Sequence, residues 1–213
     1  MLVDLDGTLL DSERVWDVAL HDLAGWLGGT LSDRARTRMV GSSVGRSVAI
    51  LHDDLGIEAD AESSGAYLTA SATQLFRTEL SWQPGAQKLL VDVHSVGIPI
   101  CLVTSTHRRM SEIALDFMGR SLFAASVCGD EVDHNKPHPE PYLRAASLVG
   151  AEPACCVVIE DSPTGVESGQ AAGCVVLAVP SEVPIPPAPR RTVLESLTEV
   201  SLELLLRLVR DDG

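Results

Sequence analysis

The chain has 213 residues, 45% of them hydrophobic, and its 16 basic against 30 acidic side chains leave a formal charge of −14. So large an acidic excess argues against nucleic acid as a partner, because holding a polyanion requires clustered cations that displace its counterions. The length suits one generous domain, or a core with a small second unit, burying roughly 70% of the surface that the unfolded chain exposes.

In chain order, residues 2–5 are the first of four short runs rich in Val, Ile and Leu; the others are residues 98–104, 156–160 and 174–179. Each is nearly continuous rather than alternating, the pattern of strands buried on both faces. From the first run to Trp82 the pattern is helical, with no convincing strand. Val15, Val18, Ala19, Leu23, Trp26 and Leu27 fall near one helix face, and Val48, Leu51 and Leu55 continue the theme. Beyond it, helices are expected at residues 84–96, 108–118, 139–149 and 163–172, three of them opening with proline in the first turn. A weaker strand is expected at residues 124–127. Strands alternating with helices give βαβ units, hence an α/β fold: a doubly wound, Rossmann-like parallel sheet with an inserted small all-helical cap. The expected boundaries are residues 1–12 and 81–213 for the core and 13–80 for the cap. An insertion after the first strand lands at the carboxyl end of the sheet, where such sheets bind ligands, so the cap can act as a lid. The proline-rich stretch 180–190 is read as an extended connector, followed by an amphipathic helix over about residues 192–209.

The five cysteines are odd in number, lack CxxC spacing and mostly lie in apolar runs, which fits buried free thiols in a reducing compartment. The chain starts without a basic segment followed by an apolar one, and contains no apolar stretch of about 18 residues. A soluble, cytoplasmic monomer with no membrane partner is expected.

Four short runs carry chemistry. In "DLDGTLLDSE", Asp4 and Asp6 lie two apart at a strand end, so both carboxylates can aim at one point. Gly7 permits a tight departure, and Thr8 offers a hydroxyl and an N–H to an anion. Thr104 and Ser105 end the strand "IPICLVT" just before a helix, a place that binds phosphate. Lys136, one of only two lysines, sits in "NKPHPEPYL" and can neutralise a carboxylate or a phosphoryl oxygen. In "VVIEDSPTG", Glu160 and Asp161 surface from a buried strand as oxygen ligands suited to Mg²⁺. Singly, each run also reads as a turn, a helix cap or a solvated lysine. Jointly they fall, in sequence order, at the carboxyl ends of predicted parallel strands or in the loops just after them, and compose a metal-assisted phosphoryl-transfer site.

This combination, with a helical insert after the first run, resembles the haloacid-dehalogenase superfamily, in its sugar-phosphate phosphatase and beta-phosphoglucomutase-like branch with a small helical cap. "VCGDEV" at residues 127–132 and "DSERVWD" at residues 11–17 are similar to stretches of that branch. The resemblance implies Asp4 as the nucleophile that forms an aspartyl-phosphate, and Asp6 as general acid, then base. It implies Thr104, Ser105 and Lys136 as phosphate ligands, and Mg²⁺ on Asp4, the backbone carbonyl of Asp6, and Asp161, with Glu160 as a further acid. The partner implied is a small phosphorylated metabolite. Its leaving group would be chosen by Glu13, Trp16, Gly41, Ser42, Ser43 and Arg46 of the cap, with His107 and Arg108 of the core.

Departures from the pattern sharpen the expectation. Asp6 argues against dehalogenation, which has no leaving alcohol to protonate. Trp16 stands where sugar phosphomutases of the branch carry histidine, and Arg46 comes later than their cap arginine, so hydrolysis is favoured over a mutase. The alternative from another class is a non-catalytic phosphate sensor, which would need neither Asp6 nor a cap. No lysine precedes Lys88, which excludes a cap Schiff base. Only three residues precede Asp4, which points either to a short central strand or to a misassigned start.

Overall fold

The apolar runs form strands β1 (Leu2–Val3), β2 (Cys101–Val103), β3 (Ala125–Val127), β4 (Val157–Glu160) and β5 (Val175–Ala178), and a sixth, β6, forms at Arg191–Val193. The computed structural model describes residues 1–39 and 42–211. All strand pairs are parallel and the order is β3-β2-β1-β4-β5-β6, that of a doubly wound sheet. The central strand is two residues long but bonded on both sides. Cys101 donates its N–H to the Met1 carbonyl, and Asp4 its own to Ile159, each at 3.0 Å. Leu2, Val3, Leu102, Val158, Ile159, Val176 and Leu177 are wholly buried, which accounts for runs without polar alternation. Each such side chain contributes about 1.5–3 kcal/mol of burial free energy.

The helices in chain order are α1 (Glu13–Trp26), α2 (Asp33–Met39), α3 (Val44–Leu55), α4 (Ala61–Phe76), α5 (Ala86–Ser95), α6 (Arg108–Met118), α7 (Glu140–Leu148), α8 (Pro163–Ala171) and α9 (Leu202–Asp211). The chain divides into two compact units, Met1–Asp11 with Ser81 onward, and Ser12–Leu80. The first holds the sheet and α5 to α9; the second holds α1 to α4. Within the helical unit, Ser43 and Asp60 cap α3 and α4 by accepting N–H bonds from Arg46 and Ser63.

Several expectations need correction. Residues 192–209 are not one helix: residues 191–193 add a sixth strand, and the helix starts at Leu202, where Ser201 Oγ accepts the Leu204 N–H at 3.1 Å. The half-buried "RTV" run lies at the sheet edge and lacks the apolar density that marks a two-sided strand. Val18 and Trp26, assigned to the apolar face of α1, are 41% and 53% exposed. Trp26 instead stacks on Tyr67 with ring centroids 4.8 Å apart. All five cysteines are free thiols, but Cys155 is exposed, on a short turn that precedes β4. Among the described residues, no helix is long and apolar enough to cross a membrane.

Candidate functional site

The sheet order places β1 between β2 and β4, so the residues that leave their carboxyl ends converge. Asp4 follows β1, Thr104 follows β2, Glu160 ends β4 and Asp161 follows it. Gly7, at φ 80°, turns the chain out of β1 in the left-handed region that suits glycine. Its N–H reaches the Leu10 carbonyl at 2.9 Å.

Lys136 is the hub. Its ammonium lies 2.5 Å from Asp4 Oδ1 and 2.6 Å from Glu160 Oε1, and donates to the Val103 carbonyl at 2.9 Å. The side chain is only 5% exposed. It is delivered by a loop whose Lys136–Pro137 peptide is cis. Asn135 Nδ2 holds the loop to the Gly129 carbonyl at 2.8 Å, and Ser168 Oγ donates to the His138 carbonyl at 2.6 Å. Glu160, wholly buried, accepts from the Tyr142 hydroxyl at 2.7 Å on Oε1, and from the N–H groups of Asp161 and Ser162 and the Ser162 hydroxyl on Oε2. Both its oxygens are therefore engaged. The Lys136 ammonium also stands 5.2 Å from the Tyr142 ring centroid.

Asp6 Oδ2 accepts two hydroxyls, from Thr104 at 3.1 Å and Thr106 at 2.8 Å. A threonine hydroxyl carries one proton, so Thr104, expected as a phosphate ligand, gives its proton to Asp6 in this arrangement. Its oxygen accepts the Thr106 N–H at 2.9 Å. Ser105 lies between them, exposed. Asp161 accepts from Thr8 Oγ1 at 2.9 Å and from Ser181 Oγ at 2.6 Å, so the Thr8 hydroxyl serves a carboxylate of the protein itself.

Burial dominates the electrostatics. It pushes the Asp4 carboxyl well above its ordinary pKa; Lys136 opposes this, while Glu160, Asp161 and Asp6 add to it. Asp161 is pushed up to about 7 by burial and by Glu160, against the Ser181 and Thr8 hydroxyls. For Lys136 burial works against the charge, but Asp4 and Glu160 together outweigh it and hold the ammonium above the usual lysine pKa. Among the described residues, the single Lys136 ammonium pairs with two carboxylates, Asp4 and Glu160, whose charges together exceed its own. Ligand oxygens of Asp4, Glu160 and Asp161 lie within 4.8 Å of one another. With both Glu160 oxygens engaged, Asp4 and Asp161 are the carboxylates of this group that suit a hard divalent cation, which takes oxygen ligands.

The remaining candidates divide. Arg108 is committed elsewhere: its guanidinium forks onto Glu131 at 2.9 and 2.7 Å, and bonds Glu112 and the Ser126 hydroxyl and carbonyl. Those bonds occupy its five N–H donors, so it is a partly exposed structural clamp on the "VCGDEV" turn with no donor left to offer a ligand. His107 is the exposed residue that opens α6. Glu13, Trp16, Ser42, Ser43 and Arg46 belong to the helical unit. There Trp16 packs edge-on against buried Phe76 with centroids 6.1 Å apart, and Arg46 is exposed in the first turn of α3. Gly41 lies outside the described residues. Sequence reasoning missed Thr106, Tyr142, Ser181 and Gly165. Of these, Tyr142 and Gly165 carried a signal, Tyr142 within "NKPHPEPYL" and Gly165 as the last residue of "VVIEDSPTG".

Comparison with known proteins agrees with this architecture. The pattern of the family described as haloacid dehalogenase-like hydrolase matches residues 1–179. The bifunctional riboflavin kinase/FMN phosphatase of Arabidopsis thaliana is 32% identical over 215 residues, covering 95% of this chain and 54% of that protein. The chain thus spans about half the length of that relative. Hexitol phosphatase A of Escherichia coli is 32% identical over 192 residues, covering 86% of this chain and 84% of the relative. Among solved structures, a HAD hydrolase of family IA, variant 3, from Entamoeba histolytica superposes with a TM-score of 0.84 at 20% identity, covering 98% of each chain. The beta-phosphoglucomutase of Clostridium difficile superposes with a TM-score of 0.81 at 20% identity, covering 99% of this chain and 96% of that one, which shows a shared fold. With a family match over most of its length and a relative at this identity, the chain belongs to the haloacid dehalogenase-like hydrolases.

Proposed function

We propose that the protein is a Mg²⁺-dependent phosphatase of small phosphomonoesters, sugar phosphates foremost, that works through an aspartyl-phosphate on Asp4. The observation that carries this reading is the contact between Lys136 and Asp4 at 2.5 Å, beside an Asp6 carboxylate fixed by two hydroxyls. An Asp4 oxygen attacks phosphorus and the bond from phosphorus to the ester oxygen breaks. Asp6, entering this step as the carboxylic acid, gives its proton to the departing alkoxide and is left as the carboxylate. In the second step Asp6 takes a proton from water, whose oxygen attacks the same phosphorus. The bond to Asp4 then breaks, releasing inorganic phosphate and restoring the carboxylate. Lys136 offsets the repulsion between a dianionic ester and a carboxylate in both steps.

Mg²⁺, held by Asp4, the Asp6 carbonyl and Asp161, would supply further charge neutralisation at the phosphoryl oxygens. Glu160 is assigned a positioning role: with five donors on its two oxygens, it aims Lys136 instead of ligating. Ser105 takes the phosphate-binding role shared in expectation with Thr104. Selection of the leaving group is assigned to the helical unit, Arg46 first, and the likeness to a hexitol phosphatase supports a polyhydroxylated one. Trp16, which packs on Phe76, supplies no titratable group where the resemblance expects a mutase to carry histidine, which favours hydrolysis over mutase chemistry. Five free thiols support a cytoplasmic setting, and the charge of −14 a monomer.

The test is phosphate release from a panel of sugar phosphates, nucleotides and an aryl phosphate, with Mg²⁺ or excess chelator, for the wild type and Asp4→Asn. Release that needs the metal and vanishes in a folded Asp4→Asn variant is expected. Normal turnover by that variant would overturn the mechanism.

A further inference from the structure

The loop that delivers Lys136 carries a second constellation on its outer side. His134, His138 and Glu140 form a grouping in which three ligand atoms lie within 4.8 Å of one another. The turn that brings them together is local: the His138 N–H bonds the Asn135 carbonyl at 3.0 Å. It sets the two imidazoles side by side, centroids 4.6 Å apart. Glu140 is fixed between them, its carboxylate accepting the N–H groups of Asp133 and His134 at 2.8 and 2.9 Å. Glu140 Oε2 lies 3.0 Å from His134 Nδ1 and 3.9 Å from His138 Nδ1. Two ligand atoms on one tetrahedral Zn²⁺ stand roughly 3.3 Å apart, so these spacings bracket what such an ion needs.

The chemistry is also right. His138 Nδ1 accepts the Glu140 N–H at 3.2 Å, so its lone pair, the group a metal needs, faces Glu140. Ligation there would replace one backbone hydrogen bond. His134 and His138 are 67% and 49% exposed, so an ion can enter without opening the fold.

We propose that His134, His138 and Glu140 form a surface site for a borderline divalent ion of the Zn²⁺ class, separate from the acidic cluster at Asp4 and Asp161. Two imidazoles and one carboxylate match such an ion and leave its fourth position to water, whereas Mg²⁺ prefers oxygen ligands alone. The two sites therefore sort metals by donor type. Bound ion would also tie together the two ends of the turn from which Lys136 extends inward.

The experiment is a calorimetric titration of the full chain with Zn²⁺ in excess Mg²⁺, for the wild type and for His134→Ala/His138→Ala. The wild type should take up one Zn²⁺ equivalent, and the double variant should bind it more than about tenfold more weakly, since it loses ligands rather than their supports. Its melting temperature without Zn²⁺ should match the wild type, which separates site loss from misfolding. A second reading needs no variant: ring resonances of His134 and His138 should shift on Zn²⁺ addition in nuclear magnetic resonance spectra. No Zn²⁺ uptake by the wild type, equal affinity in the double variant, or unshifted ring resonances would overturn the proposal. These readouts stand whether or not the protein proves to be a phosphatase.

Discussion

A β-carbon on residue 165 would lie 1.8 Å from Oε1 of Glu160, so the first turn of α8 can approach the end of β4 only because position 165 is glycine. The Gly165 N–H also bonds the Ser162 hydroxyl at 3.1 Å, and that hydroxyl in turn donates to Glu160 at 3.0 Å. The close approach thus anchors the carboxylate that aims Lys136.

Gly165→Ala should therefore displace Glu160, and with it Lys136. Overpacking of this kind costs about 1–3 kcal/mol of stability. Turnover should fall more than stability does, because a misplacement of about 1 Å at a reacting group can cost 100-fold. Denaturant unfolding and steady-state phosphate release on the same preparation check both parts; full activity would show that Glu160 does not position Lys136.

Asp161 offers a test of the metal assignment through stability. Its carboxyl has an ordinary pKa of 3.8 and is pushed up to about 7, by burial first and then by Glu160. Between those values the folded state binds more protons than the unfolded one, so metal-free stability falls as pH rises from 3.8 and the penalty is complete above 7. Asp161→Asn removes that penalty. At pH 8 without metal the variant should melt no lower than the wild type, and at acidic pH it should lose this advantage. The wild type should gain melting temperature with Mg²⁺ concentration, and the variant should not. An equal Mg²⁺ response in both would remove Asp161 from the metal site.

The residues legible in the sequence are those whose local surroundings already break a pattern. Asp4, Glu160 and Asp161 are acids at the ends of apolar runs, and Lys136 is one of two lysines in an acidic chain. Their partners carry no such mark. Thr106 meets Asp6 across 100 positions of sequence, and Tyr142, although it lies in the lysine run, shows no partner until the fold places its hydroxyl on Glu160. The same limit explains β6: two neighbours in its three residues are Arg and Thr, and only pairing with β5 makes them a strand. Trp26 misled for the opposite reason, since an aromatic at helical spacing satisfies itself by stacking on Tyr67 while exposed.

Thr106→Val tests whether the second hydroxyl on Asp6 matters. The Thr104 bond at 3.1 Å remains, but the shorter one at 2.8 Å is lost, and Asp6 gains rotational freedom. An acid and base must keep its geometry through both steps, so kcat should drop about ten- to a hundredfold with KM little changed. An equal fall in substrate affinity would instead make Thr106 a binding residue.

The Arg108 clamp predicts a pH effect distant from the chemistry. Arg108 forks onto Glu131, and both side chains are less than a third exposed, at 30% and 28%. The hydrogen bonds from Arg108 hold the Glu131 carboxyl below its ordinary pKa of 4.5, against some burial. A carboxyl with a depressed folded pKa stabilises fully above its unfolded value and loses that contribution as pH falls through the folded one. Stability of the wild type should therefore decline below pH 4.5 more steeply than that of Glu131→Gln. At neutral pH Arg108→Ala should cost about 1.5–3 kcal/mol, the worth of a charge-assisted pair that is only partly solvated. Because the guanidinium has no donor left for a ligand, the same variant should keep the wild-type KM. Urea unfolding from pH 3 to 8 and steady-state kinetics at neutral pH read both effects, and a raised KM with unchanged stability would return Arg108 to the substrate.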